Sequence, residues 1–334
     1  MTSQPILIAH RGASGERPEH TLEAYALAIE QGADYIEPDL VLTRDGVLVA
    51  RHENEISGTT DVAVRPEFAS RKSSRTIGGE KYTGWFTEDF TLKELKTLRA
   101  KERLPQLRRA NSAFDGQFSI PTFDEIISLA KEQSRATGRT IGVYPETKHP
   151  GYFAAIGLPH EAPLIAALDA AGWTAADAPV FVQSFEVGNL KALAAKTGVR
   201  LIQLVSAGGA PADQPGTPYS ALIAPFGLAE IARYAQGIGP QKDLVVPRSA
   251  IGTLKKPTAL VRDAHAAGLA VHPWTFRREN HFLPLAMKSG LDPSAHGAMG
   301  EEIAIYLDAG IDGLFSDNVR EARAAIDQRA AAPR

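Results

Sequence analysis

Short β-branched apolar segments alternate with longer amphipathic segments along almost the whole chain, and this alternation limits the fold more than any other sequence feature. The segments with strand character are 6–10, 34–41, 47–52, 140–146, 179–184, 201–205, 243–247, 269–274 and 311–316. The helical segments between them include 21–32, 123–134, 186–198, 257–268 and 301–310. Several of these end in glycine, as helices commonly do. Such alternation is typical of parallel βαβ units, and therefore of an α/β fold.

Eight or nine strand segments with flanking helices favour a closed, TIM-type (β/α)8 barrel, although the pattern is also compatible with an open doubly wound sheet. The length of 334 residues suits one barrel of about 250 residues plus insertions. We therefore predict a single domain over residues 1–334. Residues 53–118 are polar and rich in charge and glycine, with a helical pattern only at 91–100. This stretch is predicted to be an insertion that caps one end of the barrel.

The second and third strand segments are joined by residues 43–46, a connection too short for a parallel crossover. Asp-Gly within it is typical of a hairpin turn, so we predict one β-hairpin after the second strand. A two-residue turn would place His52 opposite Asp39, and a four-residue loop would place it opposite Glu37. In either register the imidazole lies on the same face of the hairpin as both carboxylates.

Acidic residues lie at the ends of two predicted strands, and a barrel brings such ends together at one mouth. Glu37 and Asp39 are two positions apart, so their side chains leave the same face of the strand. Glu146 ends a later strand. The three carboxylates can form an all-oxygen site for one divalent cation, Mg²⁺ or Ca²⁺.

The same strand ends carry cationic and imidazole side chains. Arg11 and Lys148 offer positive charge to phosphate oxygens, and His10 and His52 form a candidate acid/base pair. A phosphodiester needs charge neutralisation, a proton acceptor and a proton donor for its leaving group. The set as a whole therefore indicates phosphodiester hydrolysis.

Composition excludes several other classes of function. A net charge of −3 gives no broad basic surface for nucleic acid, and the absence of cysteine excludes disulfides, thiolate catalysis and Cys-ligated zinc. No apolar run approaches the roughly 18 residues of a membrane span. The first residues, MTSQPILIAHRG, lack the features of a signal peptide. We predict a cytoplasmic location for the sequence as given, or a periplasmic one if a leader has been removed.

Residues 9–53, AHRGASGERPEHTLEAYALAIEQGADYIEPDLVLTRDGVLVARHE, resemble the opening signature of the glycerophosphodiester phosphodiesterase family. Further similar motifs are IPTFDEII, GVYPETK, VQSF, AVHPWTFR and DGLFSD, so the resemblance extends over residues 8–320. The PEHT motif, the long stretch after His52 and VHPWTFR are most similar to the periplasmic-type branch.

The resemblance implies a TIM barrel that hydrolyses glycerophosphodiesters to sn-glycerol 3-phosphate and an alcohol, an activity of lipid and glycerol metabolism. By this resemblance the metal ligands are Glu37, Asp39 and Glu146, the acid/base residues are His10 and His52, and the phosphate-binding residues are Arg11 and Lys148. Trp274 matches an aromatic that packs on the glycerol moiety, with a plain rim aromatic as the alternative. Phe185 is expected to be a wall residue, and Gln183 to touch substrate or a metal-bound water.

Two other functions fit the same residues: a phospholipase-like phosphodiesterase of the same fold, and a non-catalytic barrel that binds phosphorylated ligands. Within the enzyme hypothesis, either water or the glycerol 2-hydroxyl can be the nucleophile, and either histidine can be the acid. The resemblance is also compatible with a homodimer. The last strand reads FSDNV where the family commonly has Thr-Asp-x-Pro, so we expect little role for Asp317.

Overall fold

The computed structural model describes residues 4–331. Thirteen strands lie in this range, and most of them belong to a barrel. The strands are β1 (Ile6–His10), β2 (Tyr35–Glu37), β3 (Asp39–Leu42), β4 (Leu48–Ala50), β5 (Ser73–Ile77), β6 (Glu80–Gly84), β7 (Gly142–Val143), β8 (Glu146–Thr147), β9 (Phe181–Ser184), β10 (Arg200–Val205), β11 (Gly237–Pro240), β12 (Ala270–Val271) and β13 (Gly313–Ser316). Pro38 and Pro145 have no amide hydrogen, so they divide two of the predicted strands into β2/β3 and β7/β8.

Helices follow most of the barrel strands. They are α1 (Leu22–Glu30), α2 (Leu92–Leu95), α3 (Phe123–Thr137), α4 (Pro150–Ala155), α5 (Glu161–Ala171), α6 (Val187–Ala194), α7 (Tyr219–Leu222), α8 (Pro225–Ile231), α9 (Leu260–Ala266), α10 (Met299–Asp308) and α11 (Val319–Ala331). Among residues 4–331, none of these helices combines the length and the apolar character that crossing a bilayer requires.

Parallel pairing runs around the whole ring of strands. One set has the order β13-β1-β2-β7, and the other has the order β12-β11-β10-β9-β8-β3, all in parallel. A parallel bridge between Val143 and Val180 joins the sets on one side. On the other side, the amide of Asp312 donates to Val271 O at 3.0 Å and that of Phe315 to Pro273 O at 3.1 Å. The predicted TIM-type barrel is therefore confirmed.

The predicted hairpin is present, but both predicted registers are wrong. Strand β4 pairs antiparallel with β3 so that Leu42 lies opposite Leu48. The loop is three residues long, because Thr43 N also donates to Val47 O at 3.0 Å. Gly46 ends this loop with φ of 77°, the left-handed conformation that closes three-residue hairpins.

This register changes which residue faces Asp39. The amide of Arg51, not of His52, donates to Asp39 O at 3.0 Å. Strand β4 ends at Ala50, so His52 lies beyond the ladder. Its position is therefore set by the chain that follows the hairpin and not by strand pairing.

The predicted strand at 243–247 is also wrong, because these residues form a 3₁₀ turn (Lys242–Leu244) and a loop. The strand lies earlier, at β11, whose sequence GIGP has low β-propensity. A Cβ on Gly237 would lie 2.8 Å from both Ala270 O and Ile202 Cδ1. Close approach of the neighbouring strands thus requires glycine here. The strand therefore lacks the β-branched residues by which strands were predicted from the sequence.

The insertion, residues 53–118, contains the antiparallel hairpin β5–β6 and little helix. The helix predicted at 91–100 is only α2, which begins with a Thr91–Glu94 capping box and stops after one turn. Phe90, Leu95 and Leu98 are fully buried in the same hydrophobic cluster as the barrel strands and helices. On this continuity we propose that the chain is one domain.

A second, smaller hydrophobic cluster fills the interior of the barrel. Its buried members are Ile8, Tyr144, Phe181, Ile202 and Phe315. The Tyr144 ring lies 5.0 Å from that of Phe181 and 5.1 Å from that of Phe315, measured between centroids. This packed layer gives the residues further along each strand a rigid base.

We expect Gly237→Ala to lower the free energy of unfolding by about 1–3 kcal/mol, because the new methyl group meets the fixed carbonyl of Ala270. Urea denaturation measures the change. Gly58→Ala is the matched control, since Gly58 is exposed and a Cβ there would have no neighbour within 4 Å. Equal stability of the two variants would contradict the proposed close packing at β11.

Candidate active site

A layer of polar side chains lies above the apolar layer inside the barrel. Each polar residue follows an apolar interior residue by two positions on its strand, because alternate residues share a face. The apolar and polar residues pair as Ile8 and His10, Tyr35 and Glu37, Tyr144 and Glu146, Phe181 and Gln183, and Phe315 and Asp317. All five polar residues are buried, and all lie toward the carboxyl ends of their strands. The strand geometry therefore gathers them at one mouth of the barrel.

Three carboxylates form a compact cluster in this layer. Glu37, Asp39 and Glu146 each offer an oxygen within 4.8 Å of the others, and all three are buried. Burial and the charge of Asp39 raise the pKa of Glu37 well above its usual range. Burial raises the pKa of Glu146 to about 8. Both shifts reflect the cost of placing like charges together away from water.

The donor set of this cluster fits a hard divalent cation. All of its candidate ligand atoms are oxygens, the preferred donors for Mg²⁺ and Ca²⁺. Asp39 Oδ1 and Gln183 Oε1 are buried, and no donor among residues 4–331 hydrogen-bonds to either atom. The Gln183 amide donates instead from Nε2 to Glu37 Oε1 at 3.2 Å. Unsatisfied buried oxygens beside clustered carboxylates fit a cation site.

Two cationic side chains flank the carboxylates. Lys148 Nζ lies 2.8 Å from Glu146 Oε1 and 3.9 Å from Asp39 Oδ1. Arg11 Nε lies 3.3 Å from Asp39 Oδ2. Arg11 has φ of 61°, and its amide donates to Glu37 Oε2 at 2.8 Å. Burial opposes ionisation of Asp39, but Lys148 and a hydrogen bond from His20 hold its pKa well below the usual value.

Both predicted histidines have a carboxylate partner at Nδ1. His10 Nδ1 lies 2.6 Å from Asp317 Oδ1, and His52 Nδ1 lies 2.8 Å from Glu53 Oε1. An ionised carboxylate can only accept, so Nδ1 carries the proton and Nε2 keeps its lone pair. Burial and the nearby Arg11 charge lower the pKa of His10 to about 4 and that of His52 to about 3. Both imidazoles are therefore neutral at pH 7.

The structure brings nine of the ten predicted site residues to one pocket. They are His10, Arg11, Glu37, His52, Glu146, Lys148, Gln183, Phe185 and Trp274. Asp39, the tenth, is buried within the carboxylate cluster. Trp274 Nε1 donates to Gly239 O at 2.8 Å, and its ring packs edge-to-face against Phe185 with centroids 5.9 Å apart. These two rings form an aromatic wall of the pocket, and Lys148 Nζ lies 5.9 Å from the centroid of the Phe185 ring.

Several residues of the site were missed by the sequence reasoning. The small role expected for Asp317 does not fit its contacts, since it accepts from His10 and also from Arg277 Nε at 2.7 Å. The signal was available, because Phe315 and Asp317 repeat the apolar-then-polar spacing of the other strands. His20 was also missed, and its Nε2 lies 2.9 Å from Asp39 Oδ2. Glu53, which follows His52 in the chain, also supplies a carboxylate beside that imidazole.

Comparison with known proteins gives a consistent result. The model of the glycerophosphoryl diester phosphodiesterase family matches residues 10–321. The chain is 38% identical to glycerophosphodiester phosphodiesterase GDPD6 of Arabidopsis thaliana, over 98% of this chain and 89% of that protein. It is 31% identical to the glycerophosphodiester phosphodiesterase of Haemophilus influenzae, over 84% of this chain and 80% of the relative.

Solved structures share the fold. A phosphodiesterase of Oleispira antarctica in complex with the product sn-glycerol-3-phosphate superimposes with a TM-score of 0.63 at 22% identity, covering 97% of each chain. A glycerophosphodiester phosphodiesterase of Parabacteroides distasonis superimposes with a TM-score of 0.60 at 17% identity, covering 99% of this chain and 100% of the other. At these identities the likeness concerns the fold.

We expect the stability difference between the wild type and Asp317→Asn to shrink as pH falls from about 5 to about 3. Burial opposes ionisation of Asp317, but Arg277, Arg108 and the His10 proton outweigh it and hold the pKa well below the usual value. A carboxylate with a depressed pKa stabilises the fold above its unfolded pKa of about 3.9, and the contribution is lost at lower pH. Urea denaturation at fixed pH values measures the difference.

The exposed Asp169 of α5 provides the matched control for this titration, as Asp169→Asn. A difference between wild type and Asp317→Asn that stays constant over the acid range would show that the Asp317 charge does not stabilise the fold.

Proposed function

The chain belongs to the glycerophosphoryl diester phosphodiesterase family, and on that premise we propose that it hydrolyses glycerophosphodiesters to sn-glycerol 3-phosphate and an alcohol. We further propose that the reaction depends on one divalent cation and on His10 and His52. The observation that carries this proposal is the convergence on one pocket of two neutral imidazoles, Arg11, Lys148 and the carboxylates of Glu37 and Glu146, with Asp39 buried in the same cluster. The phosphodiesterase of Oleispira antarctica, which shares the fold and was solved in complex with its product sn-glycerol-3-phosphate, supports the same reaction.

In this proposal Glu37, Asp39 and Glu146 hold the cation. Mg²⁺ or Ca²⁺ there would supply positive charge that offsets the negative charge developing on the phosphoryl oxygens. Gln183, whose Oε1 has no donor within the described chain, is suited to contact substrate or a bound water in the same layer. The identity of the cation is open between these two ions.

Arg11 and Lys148 bind and orient the phosphodiester group. Both side chains are held by carboxylates, Arg11 by Asp39 and Lys148 by Glu146, so their positive ends are fixed before substrate arrives. Trp274 and Phe185 offer an apolar wall on which the carbon skeleton of the glycerol moiety packs. The pocket thus offers cationic groups for phosphate and aromatic rings for glycerol.

The two histidines move the protons. One neutral imidazole accepts a proton at Nε2 from the nucleophile, which is water or the glycerol 2-hydroxyl. The other donates from Nε2 to the leaving alkoxide, after the neighbouring phosphodiester anion has favoured its protonated form. In each case the Nδ1–H bond to Asp317 or Glu53 fixes the ring and stabilises the imidazolium.

The described helices do not include one able to cross a membrane. The cytoplasmic or periplasmic location and the homodimer stay predictions.

We expect the purified protein to release sn-glycerol 3-phosphate from glycerophosphocholine. The measurement is ³¹P NMR of the reaction mixture over time. A cyclic glycerophosphate that accumulates would favour a phospholipase-like reaction. Binding of the substrate without turnover, in the presence of Mg²⁺ or Ca²⁺, would favour a non-catalytic barrel and contradict the proposal.

His10→Ala and His52→Ala should each lower kcat by about 10²-fold or more, because each removes a proton acceptor or donor. His265→Ala is the control, since that imidazole is exposed on α9. Near-wild-type turnover in either pocket variant, with the fold intact by circular dichroism, would remove that histidine from the chemistry.

Excess chelator should abolish turnover, and Mg²⁺ or Ca²⁺ should restore it. Glu146→Gln should raise the cation concentration needed for half-maximal activity by about 10-fold or more, because a charged ligand is lost. Calorimetric titration with each ion measures the affinity directly, and Glu132→Gln on the exposed side of α3 is the control. Full activity in excess chelator would refute the carboxylate site.

A further inference from the structure

We propose that Arg103 and Arg108, two arginines of the insertion, are positioning residues that hold the carboxylate partners of His52 and His10. The inference rests on the proposed function, in which both histidines transfer protons. Neither arginine is among the residues that line the pocket. Each acts through a carboxylate, and together they make the insertion part of the catalytic apparatus.

Arg108 anchors the carboxylate that orients His10. Its Nη2 donates to Asp317 Oδ2 at 2.6 Å, while Asp317 Oδ1 lies 2.6 Å from His10 Nδ1. The guanidinium also donates from Nε to Glu279 Oε1 at 2.6 Å and from Nη1 to Ser14 O at 3.0 Å. The Arg108 side chain is only 6% exposed. Because three acceptor atoms fix this guanidinium in the interior, Asp317 cannot rotate without breaking a charge-assisted bond.

Arg103 anchors the partner of His52 in a different way. Its Nη1 and Nη2 donate to the two carboxylate oxygens of Glu53, each at 2.7 Å, and Glu53 Oε1 also lies 2.8 Å from His52 Nδ1. Its Nε and Nη2 donate to Glu19 Oε2 and Oε1 at 2.8 and 2.6 Å. One guanidinium thus holds two carboxylates by paired bonds, a geometry that lysine cannot reproduce.

Glu19 links Arg103 to the phosphate side of the pocket. Glu19 Oε2 accepts from Arg11 Nη1 at 3.2 Å, and Arg11 is a proposed phosphate-binding residue. Arg103 therefore reaches both an acid/base group, through Glu53, and a binding group, through Glu19. Among the residues proposed for catalysis and binding, Arg108 reaches only His10, although the same Asp317 carboxylate also accepts from Arg277 Nε at 2.7 Å. Because the two arginines reach different site groups, a positioning role predicts different kinetic effects for their variants, whereas a purely structural role does not.

The two roles give different kinetics. If the arginines position site groups, Arg108→Met lowers kcat with little change in KM, whereas Arg103→Met lowers kcat and raises KM. If they only fasten the insertion to the barrel, both variants lose stability and the folded fraction keeps wild-type kinetics. Loss of an outer contact to a catalytic group typically costs about 10- to 100-fold in activity.

The test compares Arg103→Met, Arg108→Met and the control Arg109→Met, which removes an exposed arginine next to Arg108. Steady-state kinetics use the full chain, glycerophosphocholine and a saturating concentration of the activating cation. We expect kcat to fall at least about 10-fold in both Arg103→Met and Arg108→Met. KM should rise about 10-fold in Arg103→Met and change less than about twofold in Arg108→Met. Arg109→Met should match the wild type within about twofold in both constants.

A proton NMR readout does not depend on turnover. A protonated Nδ1 bonded to a carboxylate gives a low-field imidazole N–H resonance, and His10→Ala and His52→Ala identify the two signals by their loss. Arg108→Met should shift or broaden the His10 signal alone, and Arg103→Met the His52 signal alone. Unmoved resonances in folded variants, or kcat within about twofold of wild type, would overturn the inference.

If a methionine variant does not fold, Arg103→Lys and Arg108→Lys retain the charge, and wild-type kcat in both of these would overturn the requirement for the guanidinium fork. If the wild type does not hydrolyse glycerophosphocholine, the proposed function fails, whereas the NMR shifts still decide whether the arginines hold the two imidazoles.

Discussion

The closed barrel imposes a two-residue period on every strand, and the candidate site is built on that constraint. Alternate side chains of a strand in a closed ring must enter the interior, so an apolar residue and the residue two positions later lie one above the other. Tyr144 below Glu146 and Phe181 below Gln183 repeat the arrangement of Ile8 below His10. The apolar layer excludes water from beneath the polar layer. The polar groups consequently depend on each other for their hydrogen bonds and charge balance.

This dependence explains how so many charges are held inside one mouth. Charged groups away from water are stabilised by pairing, and three buried carboxylates have a cationic partner: Lys148 lies beside Glu146, Arg11 beside Asp39, and Arg108 beside Asp317. The pairing is incomplete at the three-carboxylate cluster, where the pKa of Glu37 and that of Glu146 are raised. Where fixed carboxylates lack enough positive charge, binding of a divalent cation reduces their mutual repulsion. Burial, together with the Arg11 charge, lowers the pKa of both imidazoles and keeps them neutral, and their carboxylate partners hold each in one tautomer.

The insertion completes the charge balance from outside the ring. It contributes Arg103 and Arg108, whose guanidinium groups lie against carboxylates of the barrel mouth and of the segment after β1. Its hydrophobic side chains meanwhile pack into the same cluster that covers the outside of the barrel. A segment with little regular structure thus acts on the site through two side chains, while its own position is fixed by apolar packing.

The sequence by itself determined most of the order of strands and helices, the barrel, and nine of the thirteen residues that line the pocket. These features are local, because each depends on a few neighbouring positions: the periods of strands and helices, the turn residues and the two-residue spacing. Tertiary structure decided the hairpin register, which depends on Gly46 adopting a left-handed conformation, and the position of β11, where close packing selects glycine over β-branched residues. It alone paired Arg103 with Glu19 and Arg108 with Asp317, across 84 and 209 residues. Ion pairs between such distant positions leave no periodic trace in a sequence, because only the folded chain brings the two charges together.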